Sequence, residues 1–303
     1  MNRFFPFTHI ICASIVCAML MPLACLGTEP AKAEATFRDS VGLQLFSLRH
    51  QFRDEGVAAL DHVVRMGFKE VEAGLLNPYG LTNEELKRGL QERGLTMVSG
   101  MVNFGLLMND IDRVIEAAKF FGVKNVGIGS APHQAPFDEA QALRLAENFN
   151  NIGRQLKEHG LQFFYHNHGF EFQPHGDGET TFDILMRNTD PELVKFQLDV
   201  LWALLPGQDP VKLLRKYPDR WISMHLKDLA PGVPQGNHSG RGIPGVRMES
   251  AIGHGQGDFP AILEAAQEIG IKYFFIEDET QEVLTQIPKS LEFLSTIKLL
   301  NRN

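Results

Sequence analysis

Cysteine is almost missing from this 303-residue chain. The three that exist, Cys12, Cys17 and Cys25, crowd into its first stretch, so no disulfide framework staples the remaining residues. Basic runs are missing too, and the formal charge of -8 argues against a nucleic-acid partner and disfavours a highly anionic substrate. After the N-terminal segment no stretch is long and apolar enough to span a bilayer. There is no Walker A loop, no His-Glu-x-x-His and no Gly-x-Ser-x-Gly, so kinase, zincin and serine-hydrolase readings have no motif to stand on.

What is present begins with a targeting pattern. Arg3 precedes an uncharged, largely apolar stretch over residues 4–28, and the small residues Ala31, Ala33 and Ala35 come after it. This order predicts a secretory signal peptide over residues 1–35, cleaved after Ala33 or Ala35, and hence a periplasmic or secreted protein. A lipoprotein signal at Cys25, preceded by Leu23 and Ala24, is the alternative, with Pro22 a poor fit to it. A retained anchor is the third option.

Residues 36–303 alternate between short apolar runs and stretches of helical period, with glycine or proline between them. Strands are expected near 41–46, 70–73, 96–100, 125–128, 162–165, 194–198, 222–224 and 273–276. Helices are expected near 54–66, 83–93, 111–121, 138–159, 181–187, 211–216, 259–269 and 287–300. Gly67, Gly94, Gly122, Gly160 and Gly270 fit helix C-terminal caps. Strand and helix alternating eight times favours a single-domain α/β protein, a (β/α)8 TIM barrel, over an open sheet. The long connection 228–258 is rich in glycine, which suits a lid on the active-site rim or a disordered loop. His238, Arg241, Arg247 and His254 within it are either substrate contacts or solvated loop residues.

Four polar residues each close an apolar run: His166, Asp199, His225 and Glu277. In a parallel barrel they would share the rim where βα-loops build active sites. Two imidazoles and two carboxylates make a mixed nitrogen and oxygen site for one divalent ion, with Mn, Mg, Co and Zn all compatible. His168 shares a strand face with His166 and, with Glu171, is a substrate contact or alternative ligand. The bland alternatives are a hydrogen-bonded structural histidine and, for Asp199, a helix cap or salt bridge. Lys227 and Asp228 sit just behind His225.

Together these segments resemble the xylose isomerase-like barrel superfamily, in particular its sugar phosphate isomerase/epimerase group. The residues carrying the likeness are Val41-Gly42-Leu43-Gln44-Leu45-Phe46-Ser47-Leu48-Arg49, Gly67-Phe68-Lys69-Glu70-Val71-Glu72 and Gly253-His254-Gly255-Gln256-Gly257-Asp258-Phe259. The resemblance implies a divalent ion held at successive strand ends, with Asp199, His225 and Glu277 matching three of the four positions. Where many relatives have Glu-Asn-His, this chain has His166-Asn167-His168. The epimerases of the superfamily exchange protons between two opposed glutamates, so here the second base is missing. Glu277 is the expected lone base, with His166 as its catalytic companion. Gln44, Glu72, His168, Glu171, Lys227 and Arg241 are the expected substrate-binding residues.

The expected function is an exported, metal-dependent enzyme of carbohydrate metabolism that removes a proton next to the carbonyl of a keto sugar. Isomerisation or epimerisation is placed ahead of a lyase or dehydratase acting by β-elimination on the same site. A non-catalytic sugar-binding barrel and an endonuclease IV-like phosphodiesterase stand behind these. The partner is a small sugar; nucleic acid is not expected, nor is a membrane span after signal removal, and a homo-oligomer is left open.

Overall fold

Runs such as Phe163, Phe164 and Tyr165, apolar on both faces, can satisfy their backbone and their side chains together only when a strand is covered on both sides. In the computed structural model of this protein they are. Residues 1–3 and 35–300 are described, and the chain divides into two units, Met1–Glu34 and Ala35–Asn303. The signal-segment expectation falls on residues 4–34, outside the described residues.

The second unit is a closed barrel of eight parallel strands. They are β1 (Val41–Gln44), β2 (Glu70–Gly74), β3 (Thr96–Val102), β4 (Asn125–Ile128), β5 (Gln162–His166), β6 (Val194–Asp199), β7 (Trp221–Leu226) and β10 (Tyr273–Ile276). A short pair outside the barrel, β8 (Asp228–Leu229) and β9 (Glu249–Ser250), lies in the connection between the last two. Each barrel strand pairs with the next one in sequence, and β1 closes the ring on β10 with Val41 opposite Phe274. The intervening helices turn an apolar stripe inward. Glu139–Glu158, for example, buries Ala142, Leu145, Phe149, Ile152 and Leu156, and the Asp138 carboxylate caps its start by accepting from the Gln141 amide at 2.8 Å. Among the described residues no helix is long and apolar enough to cross a membrane.

The strands fall within two residues of their expected bounds, and the five capping glycines all take positive φ. The helix expected over 54–66 is broken instead. Gly56 takes φ 58 and ψ -137, a conformation that side-chain-bearing residues avoid, and it splits the stretch into Arg49–Glu55, a 3-10 turn and Leu60–Arg65. The last helix runs over Val283–Leu294 and stops short of 300 because the chain turns back: the Phe37 amide donates to the Ile297 carbonyl at 2.8 Å and Thr36 pairs with Lys298. Two short helices, Phe104–Asn109 and Val200–Leu204, were not expected, and each starts on a polar cap, Asn103 and Asp199.

The long connection is built, not disordered. β8 and β9 pair antiparallel, and the Asp228 carboxylate accepts from the amides of Gly253, Gly255 and Gly257 at 3.0, 2.8 and 2.9 Å. A Cβ on Gly255 would lie 2.3 Å from an Asp228 oxygen, so the close approach requires glycine there.

Candidate active site

Three adjacent strands deliver the first cluster. His166 ends β5, Asp199 ends β6 and His225 is the penultimate residue of β7, and all three are buried. One donor atom from each lies within 4.8 Å of the others. Asn167 fixes the backbone beneath them, accepting from the Asp199 amide at 2.9 Å and donating to its carbonyl at 3.3 Å.

The Asp199 carboxylate is half used. Oδ1 accepts from the Trp202 amide at 3.0 Å, while Oδ2 is buried with no hydrogen-bond partner among the described residues and lies 3.7 Å from His166 Nε2. Burial pushes this acid up to about 7, against the pull of Lys227 and His225. A neighbouring amide decides the state of His166. Gln197 spends its NH2 on Glu72 and Ser223, so its oxygen faces His166 Nδ1 at 3.0 Å. Nδ1 therefore carries the hydrogen and Nε2 presents a lone pair beside Asp199. Burial, with His225 nearby, also keeps His166 neutral by lowering its pKa. An unpaired buried carboxylate oxygen next to an imidazole lone pair is costly as it stands and fits a divalent cation.

His225 joins this cluster to two glutamates. Its Nε2 lies 2.5 Å from Glu72 and its Nδ1 3.0 Å from Glu277. Burial would lower its pKa, but Glu277 and Glu72 outweigh that and hold it up at about 10. A cation using His225 would therefore have to displace a proton. Glu277 is ionised: burial opposes this, yet Lys227 and His225 hold its carboxyl well below the usual range. Glu277 stands beside the three-residue cluster rather than within it.

A cavity of about 650 Å³ opens above these groups, and His166, His225, Glu277 and Gln44 reach it. His168 lines it as well, stacked on Trp202 at 4.3 Å between ring centres. Its Nδ1 faces the Gly129 carbonyl at 3.1 Å, so that nitrogen carries the hydrogen and Nε2 is left as an acceptor. Burial, then Lys227, press its pKa down to about 4.

The other expected contacts lie elsewhere. Glu72 is fully buried behind His225, receiving NH2 donors from Gln44 at 2.7 Å and Gln197 at 3.1 Å. Such a carboxylate orients the histidine it faces. Glu171 is also fully buried and holds the turn after β5, accepting from the Tyr165 hydroxyl and from the His168 amide at 3.0 Å. Lys227 is enclosed by carboxylates, 2.5 Å from Glu279, 3.4 Å from Glu277 and 3.6 Å from Glu249. Arg241 is exposed on the long connection and, like His238, Arg247 and His254, does not line this cavity. Arg247 instead pairs with Glu282 at 2.9 Å. Residues outside the expected site set also line it: Phe46, Tyr79, Asn103, Ser130 and Trp202. For Tyr79 a signal was there to be found in the turn-forming run Asn77-Pro78-Tyr79-Gly80.

The barrel, its strand-end cluster and its sequence place this chain in a known group. The chain belongs to the xylose isomerase-like TIM barrel family, whose profile matches residues 60–297. Among curated proteins it is similar to an inosose dehydratase of Lacticaseibacillus casei, 28% identical over 252 residues, covering 74% of this chain and 82% of that one. Among solved structures it is similar to a sugar phosphate isomerase/epimerase from Parabacteroides distasonis, with 25% identity, a TM-score of 0.67, and coverage of 84% of this chain and 93% of that one. A probable 3-DHS dehydratase from Bacillus anthracis shares the fold at 16% identity and a TM-score of 0.66, covering 87% of this chain and all of that one (100%).

Proposed function

We propose that this protein is a metal-dependent lyase that dehydrates a neutral keto polyol or keto sugar. The observation carrying this reading is the ionised Glu277 on the cavity wall, hydrogen-bonded to His225 of a His-Asp-His cluster whose Asp199 has a free buried oxygen. His166, Asp199 and His225 would hold a divalent ion, with Glu277 within reach of it. Such an ion supplies Lewis acidity toward the substrate carbonyl. Glu277 then removes the neighbouring proton, and its low pKa keeps it ready to accept one at neutral pH. His168 offers an acceptor to a substrate hydroxyl, and Trp202 and Tyr79 supply flat surfaces for ring faces.

The order of reactions expected from the sequence changes here. The inosose dehydratase relative favours elimination over isomerisation, and one base on one face suits loss of a β-hydroxyl better than epimerisation. A 1,2-hydrogen shift remains the second reading, supported by the isomerase/epimerase structure at 25% identity. Among the described residues no arginine lines the cavity, and Lys227 is held by three carboxylates, which supports an uncharged substrate. Export is proposed with it: N-terminal sequencing of secreted protein should begin at Glu34 or Thr36, and a Met1 terminus on the mature protein would remove that part.

The test is incubation of Mn(II)-loaded protein with an inosose. The expected product is an unsaturated ketone or its enol, seen by ultraviolet absorbance and by a mass lower by one water. An isomer of unchanged mass would select the second reading. Neither turnover nor exchange of the α-proton with deuterated water, over a panel of neutral keto polyols, would overturn the proposal.

A further inference from the structure

Dehydration needs more than a base. The hydroxyl that leaves is a poor leaving group unless it takes up a proton as its bond to carbon breaks. Most polar groups on the cavity wall cannot give one: His225 would surrender its extra proton on taking the ion, and His166 keeps its hydrogen on Gln197. His168 has its only hydrogen on the nitrogen facing the Gly129 carbonyl. The Gln44 amide donates to Glu72 and accepts from the Phe46 backbone at 3.1 Å. Glu277 is the base, and Glu279 accepts from Lys227. The Asn103 amide and the Ser130 hydroxyl are far weaker acids than a phenol.

Tyr79 differs from all of these in both chemistry and placement. It sits on the cavity wall at the far side of the barrel from β6, on the turn after β2. Its backbone is left-handed, φ 60 and ψ 22, and so is that of Asn77, φ 48. A bulky residue in that region is a genuine outlier, and such outliers persist where the surrounding structure over-determines them. Here the restraints are visible. Asn77 and Asn83 exchange reciprocal amide-to-side-chain bonds at 2.8 and 3.2 Å, the Leu81 amide donates to the Pro78 carbonyl at 3.0 Å, and Phe52 stacks on the Tyr79 ring at 4.8 Å. A Cβ on Gly74 would lie 2.8 Å from Pro78, so the turn also presses on the strand end. The conformation places the Tyr79 side chain on the cavity wall, with its phenol buried beside the end of β2.

We propose that Tyr79 is the general acid of the dehydration, delivering its phenolic proton to the departing β-hydroxyl. This rests on the reading of the site as a dehydratase. Glu277 takes the α-proton, and the electrons of that C–H bond become the new C=C bond. The β-carbon–oxygen bond breaks with its pair going to oxygen. That oxygen takes the Tyr79 proton and leaves as water. The phenolate regains a proton from solvent at the mouth, and Glu277 releases its own, so the sum is substrate to unsaturated ketone plus water. Burial raises the phenol's pKa against the pull of the Gly74 backbone, so the group is protonated at neutral pH and parts with its proton only as negative charge builds on the departing oxygen.

The experiment compares Tyr79→Phe with wild type, both as metal-loaded full chain, on an inosose and on its analogue carrying fluoride in place of the β-hydroxyl. Phenylalanine keeps the stack on Phe52, so the turn should survive. Dehydration of the hydroxyl substrate should fall about 100-fold to 10,000-fold. In deuterated water the variant should accumulate α-deuterated substrate, because proton removal continues without elimination. Loss of fluoride, which needs no proton, should stay within about threefold of wild type by the same reasoning. Wild-type dehydration in the variant would sink the assignment. So would equal loss of exchange, dehydration and fluoride elimination, which is the signature of a merely structural residue. A wild type that neither exchanges nor eliminates sinks the dehydratase reading itself, whereas an active wild type with an unaffected variant sinks only the role of Tyr79.

Discussion

The two halves of the barrel obey one packing rule and end differently. β1 to β4 finish in Gln44, Gly74, Val102 and Ile128, and the residues just past β3 and β4 are Asn103 and Gly129. β5 to β7 and β10 finish in or beside His166, Asp199, His225 and Glu277. The first half thus contributes space, amides and one phenol, while the second contributes charge and a His-Asp-His cluster that could hold a metal ion. Glu72, a carboxylate that the first half does send toward the axis, is spent behind His225. The division teaches that one side of the cavity is walled by uncharged residues, from Gly74 and Gly129 to Phe46 and Tyr79, and the other by ionisable ones.

Changing Glu277 tests the charged half most sharply. Glu277→Gln should lower α-proton exchange and turnover by about 100-fold to 10,000-fold while the chain stays folded. Deuterium incorporation at the wild-type rate would remove Glu277 as base. Asp199→Ala should come next, cutting metal content severalfold or more by elemental analysis, because it removes the carboxylate whose Oδ2 has no partner among the described residues. Unchanged occupancy would take Asp199 out of the ligand set.

Glu171 tests whether the turn carrying His168 is a structural device. Burial raises its carboxyl to about 7 from an ordinary 4.5. A raised folded value means that the stability this group contributes is fully present below about 4.5 and is lost as pH rises through about 7. The difference amounts to roughly 3 kcal/mol across that window. Glu171→Gln should flatten the fall by that order, measured by chemical denaturation at a series of pH values. An unchanged slope would assign the dependence to other buried acids such as Asp199 and Glu249, both also near 7.

The smallest effects separate packing from space in the first half. A Cβ at Gly127 would lie 2.2 Å from the Phe164 ring, so Gly127→Ala should destabilise by about 1–3 kcal/mol through overpacking. At Gly129 the nearest atom to a new Cβ is Met101 Cε at 3.5 Å, ordinary contact. Gly129→Ala should leave stability within about 0.5 kcal/mol and change KM alone. Equal destabilisation of both variants would mean the end of β4 is packed rather than open.

The barrel was readable because strands covered on both faces must be apolar throughout, and the residue that breaks such a run stands out. That is how His166, Asp199, His225 and Glu277 were visible. Gln197 and Glu72 were not visible as partners, since each lies within a strand and its role depends on which neighbour the barrel closure sets beside it. The identity of the Gln197 amide atom facing His166 depends on Glu72, 125 residues away in the chain. Glu171 and Lys227 look in sequence like any acid or base near a site, and only burial among partners separates them from a substrate contact. Tyr79 required a backbone conformation that proline and glycine hint at but do not fix.

The loop before the last strand–helix unit carries one more consequence. Three glycine amides converging on a point are what a phosphate oxygen seeks, and in this protein the point is already taken by the carboxylate of Asp228. The chain carries its own internal surrogate anion and so completes that loop's shape in the absence of any phosphorylated guest. A phosphoryl group arriving there would find a negative charge in possession and no vacancy to fill.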